Sequence, residues 1–163
     1  MQQLTVGDFV VIKEEDWHYY FLVLTSSAFF GCQWTRAFHL RTRNIQEAAV
    51  VMASASQGFT ALIDFIEYRR NNSVLKLGIK QDVSPFLKFE FTRTRIDEPN
   101  GSSQWYIYNR DWKIVEKKKS LEQKQRAYPI GSGMGIKKAF HLIANGYTND
   151  HIQTAHGTPQ FPF

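Results

Sequence analysis

The chain has 163 residues, of which 43% are hydrophobic and 15% aromatic, with a formal net charge of +5. A chain of this length and aromatic content buries about two thirds of its unfolded surface without a disulfide or a metal, which excludes a disordered polypeptide. The single cysteine, Cys32, excludes an internal disulfide and points to a reducing, cytoplasmic setting.

The first segment, Val6 to Lys13 (VGDFVVIK), is rich in β-branched and aromatic residues and predicts a strand. Met1 to Gly7 runs into it without a leader-like pattern. Glu14, Glu15 and Asp16 form a polar turn into Trp17–Ser26 (WHYYFLVLTS), a continuous apolar run expected to form a strand covered on both faces. These two segments predict a hairpin. Its apolar core, Tyr19 to Leu24, is the longest such run and is far below the ~20 residues of a membrane span, so no membrane association is expected. Phe29 to Leu40 supplies a third strand, with Gly31 marking a turn or bulge.

From Asn44 the pattern changes. Asn44 can cap a helix whose body is the Ala-rich stretch Glu47 to Ala55, although Val50 and Val51 leave a strand open there. Phe59, Leu62, Ile63 and Ile66 fall on one helical face, which predicts a helix over Phe59–Arg70. Strands are predicted over Val74–Ile79, Phe86–Arg93, Gln104–Tyr108 and Trp112–Val115. Pro99 to Ser102 forms one turn and Asn109-Arg110-Asp111 a short bend. Ser120 and Gln123 have capping-box spacing for a short helix over Leu121–Arg126. Gly131, Gly133 and Gly135 read as a flexible entry to a helix over Ile136–Ala144, with Gly146 at its C′ position. Thr148 caps a last short helix through Ala155, and the tail from 158 to 163 is extended. The order predicts one α+β domain over 1–163: an antiparallel or mixed β-sheet packed with several helices and a helical C-terminal region.

No motif carries chemistry. Gly131 to Lys138 matches neither a P-loop nor a dinucleotide fingerprint. His151 and His156 are five apart, His18, His39 and His141 lie elsewhere, and neither HExxH nor a second cysteine is present, so no metal site is expected. Ser132 lacks the G-x-S-x-G frame, and Cys32 has no local base. Asp64 and Glu67 fit a solvated helix face beside Arg70. No catalytic residue and no cofactor is expected. The basic clusters are more informative. Arg36, Arg41 and Arg43 follow Trp34; Arg93 and Arg95 share one side of a strand; Lys117 to Lys119 lie near Trp112. Cations interleaved with aromatic rings suit single-stranded nucleic acid, and Arg and Trp are also common anchors of protein interfaces.

Several segments resemble the small immunity proteins of bacterial toxin systems, of the contact-dependent inhibition and polymorphic-toxin type. They are Val6-Gly7-Asp8-Phe9-Val10, Trp105-Tyr106-Ile107-Tyr108 with Trp112-Lys113-Ile114-Val115, Leu121 with Tyr128-Pro129, and Gly146-Tyr147-Thr148. The resemblance implies a cytoplasmic, non-catalytic protein that binds and masks a cognate toxin domain. The basic charge is unlike that of immunity proteins against basic nucleases and points to an acidic or apolar toxin surface. The candidate partner-binding residues are Trp17, Trp34, Arg36, Arg41, Arg43, Arg93, Arg95, Trp105 and Trp112. The alternative is a nucleic-acid-binding domain using the arginine clusters, with affinity that falls steeply with salt.

Overall fold

A computed structural model describes residues 3–25, 32–45 and 57–149. They build one nine-stranded sheet in the order β5-β1-β2-β3-β4-β9-β6-β7-β8. Its strands are β1 (Asp8–Glu14), β2 (Trp17–Val23), β3 (Cys32–Thr42), β4 (Gly58–Asp64), β5 (Val74–Lys80), β6 (Phe91–Asp97), β7 (Ser103–Asn109), β8 (Ile114–Lys118) and β9 (Ile130–Gly135). The helices among the described residues are α1 (Ile66–Arg70), α2 (Gln123–Arg126) and α3 (Ile136–Ala144), with a single 3₁₀ turn at Ser84–Phe86. Of the described residues 49% are strand and 17% helical, so the α+β expectation with several helices gives way to a β-rich fold.

The largest correction lies at 59–70. The helical spacing there is real, but every residue from Gly58 to Ile63 is buried. Phe59, Ala61 and Ile63 point to one face, while Thr60 and Leu62 point to the other. A run apolar on both faces satisfies both periods, and sheet pairing with β3 on one side and β9 on the other decides for a strand. Only the last turn is helical. The Asp64 carboxylate accepts a bond from the N–H of Ile66 at 2.8 Å, turning the chain into α1.

Other boundaries move for similar reasons. The glycine segment is strand β9 rather than a flexible entry, because it lies between β4 and β6. The capping box is Glu122 with Gln125, not Ser120 with Gln123. The strand expected over 86–93 begins only at Phe91, because 81–90 crosses over the sheet instead of pairing within it. The C-terminal region holds one described helix, α3. It ends as its sequence predicts: Gly146 takes φ +67°, the N–H of Tyr147 donates to Leu142 and that of Gly146 to Ile143. The helices expected over 47–55 and after Thr148, the residues around Gly31 and the tail 158–163 lie outside the described residues.

Two antiparallel arms make up the sheet. One is β5-β1-β2-β3-β4 and the other β6-β7-β8, and β9 runs parallel to both β4 and β6 where they meet. Two apolar clusters sit on opposite faces of the larger arm. On the first face α3 packs Phe140 against Tyr19 (4.4 Å), Tyr68 (5.7 Å) and Phe21 (6.2 Å). Burying a side chain of that size contributes about 1.5–3 kcal/mol. On the second face Phe9, Tyr20 and Phe38 pack beneath Val83, Phe86 and Leu87 of the crossing segment.

β1 is also fixed by charge. Asp8 accepts bonds from Lys76 (2.7 Å), Lys80 (2.6 Å) and the N–H of Thr5 (2.7 Å). Burial pushes its carboxyl up, but the two ammonium groups and the backbone donor outweigh burial and hold its pKa at about 2. A depressed acid stabilises the fold above the unfolded-state value, near 3.9, and that contribution disappears as pH falls through 2. Asp8→Asn is therefore expected to cost about 2 kcal/mol of urea-unfolding stability at pH 7. The gap from the unmodified chain should narrow below pH 4 and close near pH 2; a gap independent of pH would refute the assignment.

Candidate functional site

A hollow of about 260 Å³ opens on the second face, lined by Thr25, Trp34, Leu87, Phe89, Thr92, Asn109, Arg110 and Trp112. It straddles the join between the arms. Trp34 comes from β3, Thr92 from β6, Phe89 from the crossing segment, and Trp112 from the turn between β7 and β8. Trp34 stacks on Trp112 at 6.1 Å and lies 5.1 Å from Phe89. Tyr108 tilts against Trp112 at 6.1 Å and Tyr106 stacks on Tyr108 at 6.5 Å, extending the aromatic row along β7. Burial raises the Tyr108 pKa, so its hydroxyl stays protonated and neutral.

The turn that carries Trp112 is tightly built. Asn109 Oδ1 accepts bonds from the N–H groups of Asp111 (3.1 Å) and Lys113 (2.9 Å), and the Trp112 N–H donates to the Asn109 carbonyl. Trp112 itself has φ +60°. A left-handed backbone costs a non-glycine residue about 1–2 kcal/mol, and glycine or asparagine is the usual occupant. A tryptophan 38% exposed in that conformation is a strained, outward-facing ring.

Thr92 gives the hollow a polar point. It is 5% exposed, and its hydroxyl is buried without a hydrogen-bond partner. Arg110 at the rim is exposed and donates from Nε to the Phe89 carbonyl at 3.2 Å, tying the crossing segment to the turn. The volume lies below the ~300–1,000 Å³ of small-molecule pockets, so the hollow suits one side chain or one ring. Arg110 at the rim would repel a cation.

The sequence-predicted residues fall in three places. Trp34 and Trp112, distant in the chain, meet in the hollow. Arg36 lies on the same face but is half-buried, with its guanidinium 5.4 Å over Phe86; burial lowers its pKa. Trp17, half-buried on the first face, is covered by the guanidinium groups of Arg41 (4.4 Å) and Arg43 (5.6 Å). Arg93, Arg95 and Trp105 share the first face of the smaller arm. Arg93 is fully buried, 5.2 Å over the Trp105 ring, and Arg95 is half-buried. Trp105 also lines a second hollow of about 140 Å³ with Lys119, Ser120, Leu121 and Arg126. The arginines thus form no continuous basic face. Sequence reasoning missed Phe89 and Thr92. Nothing marks a lone threonine in an alternating strand, and the Phe89 ring is placed by the crossing of the sheet.

Among the described residues no three His, Cys, Asp or Glu side chains gather as a metal-holding set. No helix among them is long and apolar enough to cross a membrane. Comparison with known proteins finds no matching family model, curated protein or solved structure.

The unpaired Thr92 hydroxyl makes a direct prediction. Removing a buried polar atom that lacks a partner favours the folded state, so Thr92→Val should raise urea-unfolding stability by about 1 kcal/mol. A loss of similar size would mean that the hydroxyl already has a partner in the free protein.

Proposed function

We propose that this chain is a non-catalytic binding protein that docks onto another protein, acting in the bacterial cytoplasm as an immunity protein that masks a cognate toxin domain. The observation that carries the docking part is the Trp34–Trp112 hollow, with Trp112 held outward in a left-handed turn. Interface hot spots are aromatic, central and seated against pockets of this size, and a strained aromatic residue at a turn is costly unless it is used. The toxin-neutralising part rests on the resemblance of the segments around Val6–Val10 and Trp105–Val115.

The nucleic-acid reading draws support from the Lys117–Lys119 run, near Trp112 in sequence, with Lys117 5.0 Å over the Tyr106 ring. It is weaker on two counts. The arginines are split between the two faces and partly buried, and the rings pack on each other instead of standing as separate platforms for bases.

The test is capture of the tagged chain from its native lysate after nuclease treatment, followed by expression of the captured protein alone and with this chain. The expected result is a stoichiometric protein that arrests growth alone and is neutralised by the unmodified chain. Trp112→Gly relieves the backbone strain while removing the ring. It should therefore leave the melting temperature within a few degrees and weaken binding by about a hundredfold, as for a hot spot of 2–3 kcal/mol. Bound material that disappears with nuclease, or a captured protein that is harmless alone, would overturn this function.

A further inference from the structure

Among the described residues the sheet ends at β5 on one side and β8 on the other, and the two edges differ in kind. On β5, Lys76 and Lys80 fold back onto Asp8, and Gly78 with φ +71° breaks the strand's regularity. Such irregularity blunts an edge. Among the described residues β8 has β7 as its single strand neighbour, leaving backbone donors and acceptors on its other side facing outward. Its first two residues are apolar and open, Ile114 at 48% exposure and Val115 at 51%. They follow within three residues of Trp112, so edge and hollow form one surface.

Charge distinguishes the edge further. Residues 109 to 126 hold seven lysines and arginines against three carboxylates, most of the chain's net +5. Lys118 is held between Glu116 (2.9 Å) and Glu122. Lys113, Lys117 and Lys119 are exposed, and none of them is among the ion pairs of the described residues. A second copy paired on this edge would lay like charges opposite each other, which destabilises a strand pair. An acidic strand would meet complementary charge at Lys113 before the strand and at Lys117 and Lys119 towards its end.

We propose that β8 takes an extended acidic segment of the partner protein as an added strand, with one aromatic or large apolar side chain of that segment seated against Trp34, Phe89 and Trp112. This rests on the protein-docking reading above and names the partner's chemistry. Backbone pairing supplies affinity that is indifferent to sequence, while the hollow and the lysines supply selection. The same lysines that keep the free edge from pairing with itself attract the partner.

The probe is a short synthetic peptide alternating Glu and Val around a central Trp, titrated into the full chain. Comparison ligands are the same peptide with Lys in place of Glu and a single-stranded oligothymidylate. The expected result is that the Glu peptide binds at least about tenfold more tightly than either comparison and slows amide exchange in β8. Lys113→Glu with Lys117→Glu should reverse the charge preference, and Val115→Pro, at the bulged position of the edge strand, should weaken the Glu peptide about tenfold or more. The charge variant keeps the test valid where the proline variant does not fold.

Absence of peptide binding, equal binding of the two peptides, tighter binding of the oligonucleotide, or self-association through β8 would each overturn the proposal. Growth rescue separates it from the broader reading. If the β8 variants still neutralise the captured toxin while Trp112→Gly does not, strand addition is wrong and docking at the hollow stands. If Trp112→Gly neutralises fully, docking at the hollow falls as well.

Discussion

Arg93 lies where the two arms of the sheet are joined, and the join is narrow. β9 is paired with β4 over several residues but registers with β6 only at Arg93 opposite Ile130. Just before that pair the ladder would leave backbone groups open. The side-chain amide of Asn149 fills the space: its oxygen accepts from the Thr60 N–H at 2.9 Å and its nitrogen donates to the Thr60 carbonyl at 3.0 Å. The Arg93 guanidinium then donates to the Asn149 carbonyl and, at 3.1 Å, to that of Tyr128, while the Arg93 N–H reaches Pro129 at 3.0 Å. A fully buried guanidinium is costly to desolvate, and these bonds offset that cost. Here they tie β6, the chain before β9 and the chain after α3 into one sheet.

The candidate surface depends on that tie. Trp34 and Trp112 belong to opposite arms, and their stacking across the second face sets the wall of the hollow. If the arms hinged apart, the hollow would open and Thr92 would meet water. Holding the rings in place before a partner arrives reduces the ordering cost of binding, which raises affinity without adding contacts. The left-handed Trp112 is the local cost of this arrangement, and stacking on Trp34 and Tyr108 offsets it.

Much of the sheet can be read from the residues. The β1–β2 hairpin, β5 and the turns at Pro99–Ser102 and Asn109–Asp111 follow from alternation and turn chemistry. The C-terminal cap of α3 follows from Gly146. β4 and β9 do not. Phe59 to Ile66 satisfies the helical period because a strand buried on both faces carries apolar residues on both. The glycines of β9 resemble a loop because close strand packing asks for the same small residue: a Cβ on Gly131 would come within 3.1 Å of the Thr92 hydroxyl. The candidate site was half legible. Trp34 and Trp112 announce themselves as exposed-type anchors, but their meeting depends on a parallel strand inserted from the far end of the chain. Arg93, expected at a surface with Arg95, lies in the interior because β6 is central, not peripheral.

These features describe a sheet that carries an aromatic hollow beside a basic edge strand. The central claim is that the buried Arg93 join assembles the socket. Near-ultraviolet circular dichroism of Arg93→Met, compared with its far-ultraviolet spectrum, tests this most directly. The account predicts a marked loss of the tryptophan signal from the Trp34–Trp112 stack with the strand signal largely kept, together with about 3 kcal/mol of lost stability. An unchanged near-ultraviolet spectrum at unchanged stability would show that the socket stands without the join, and the account would be wrong at its root.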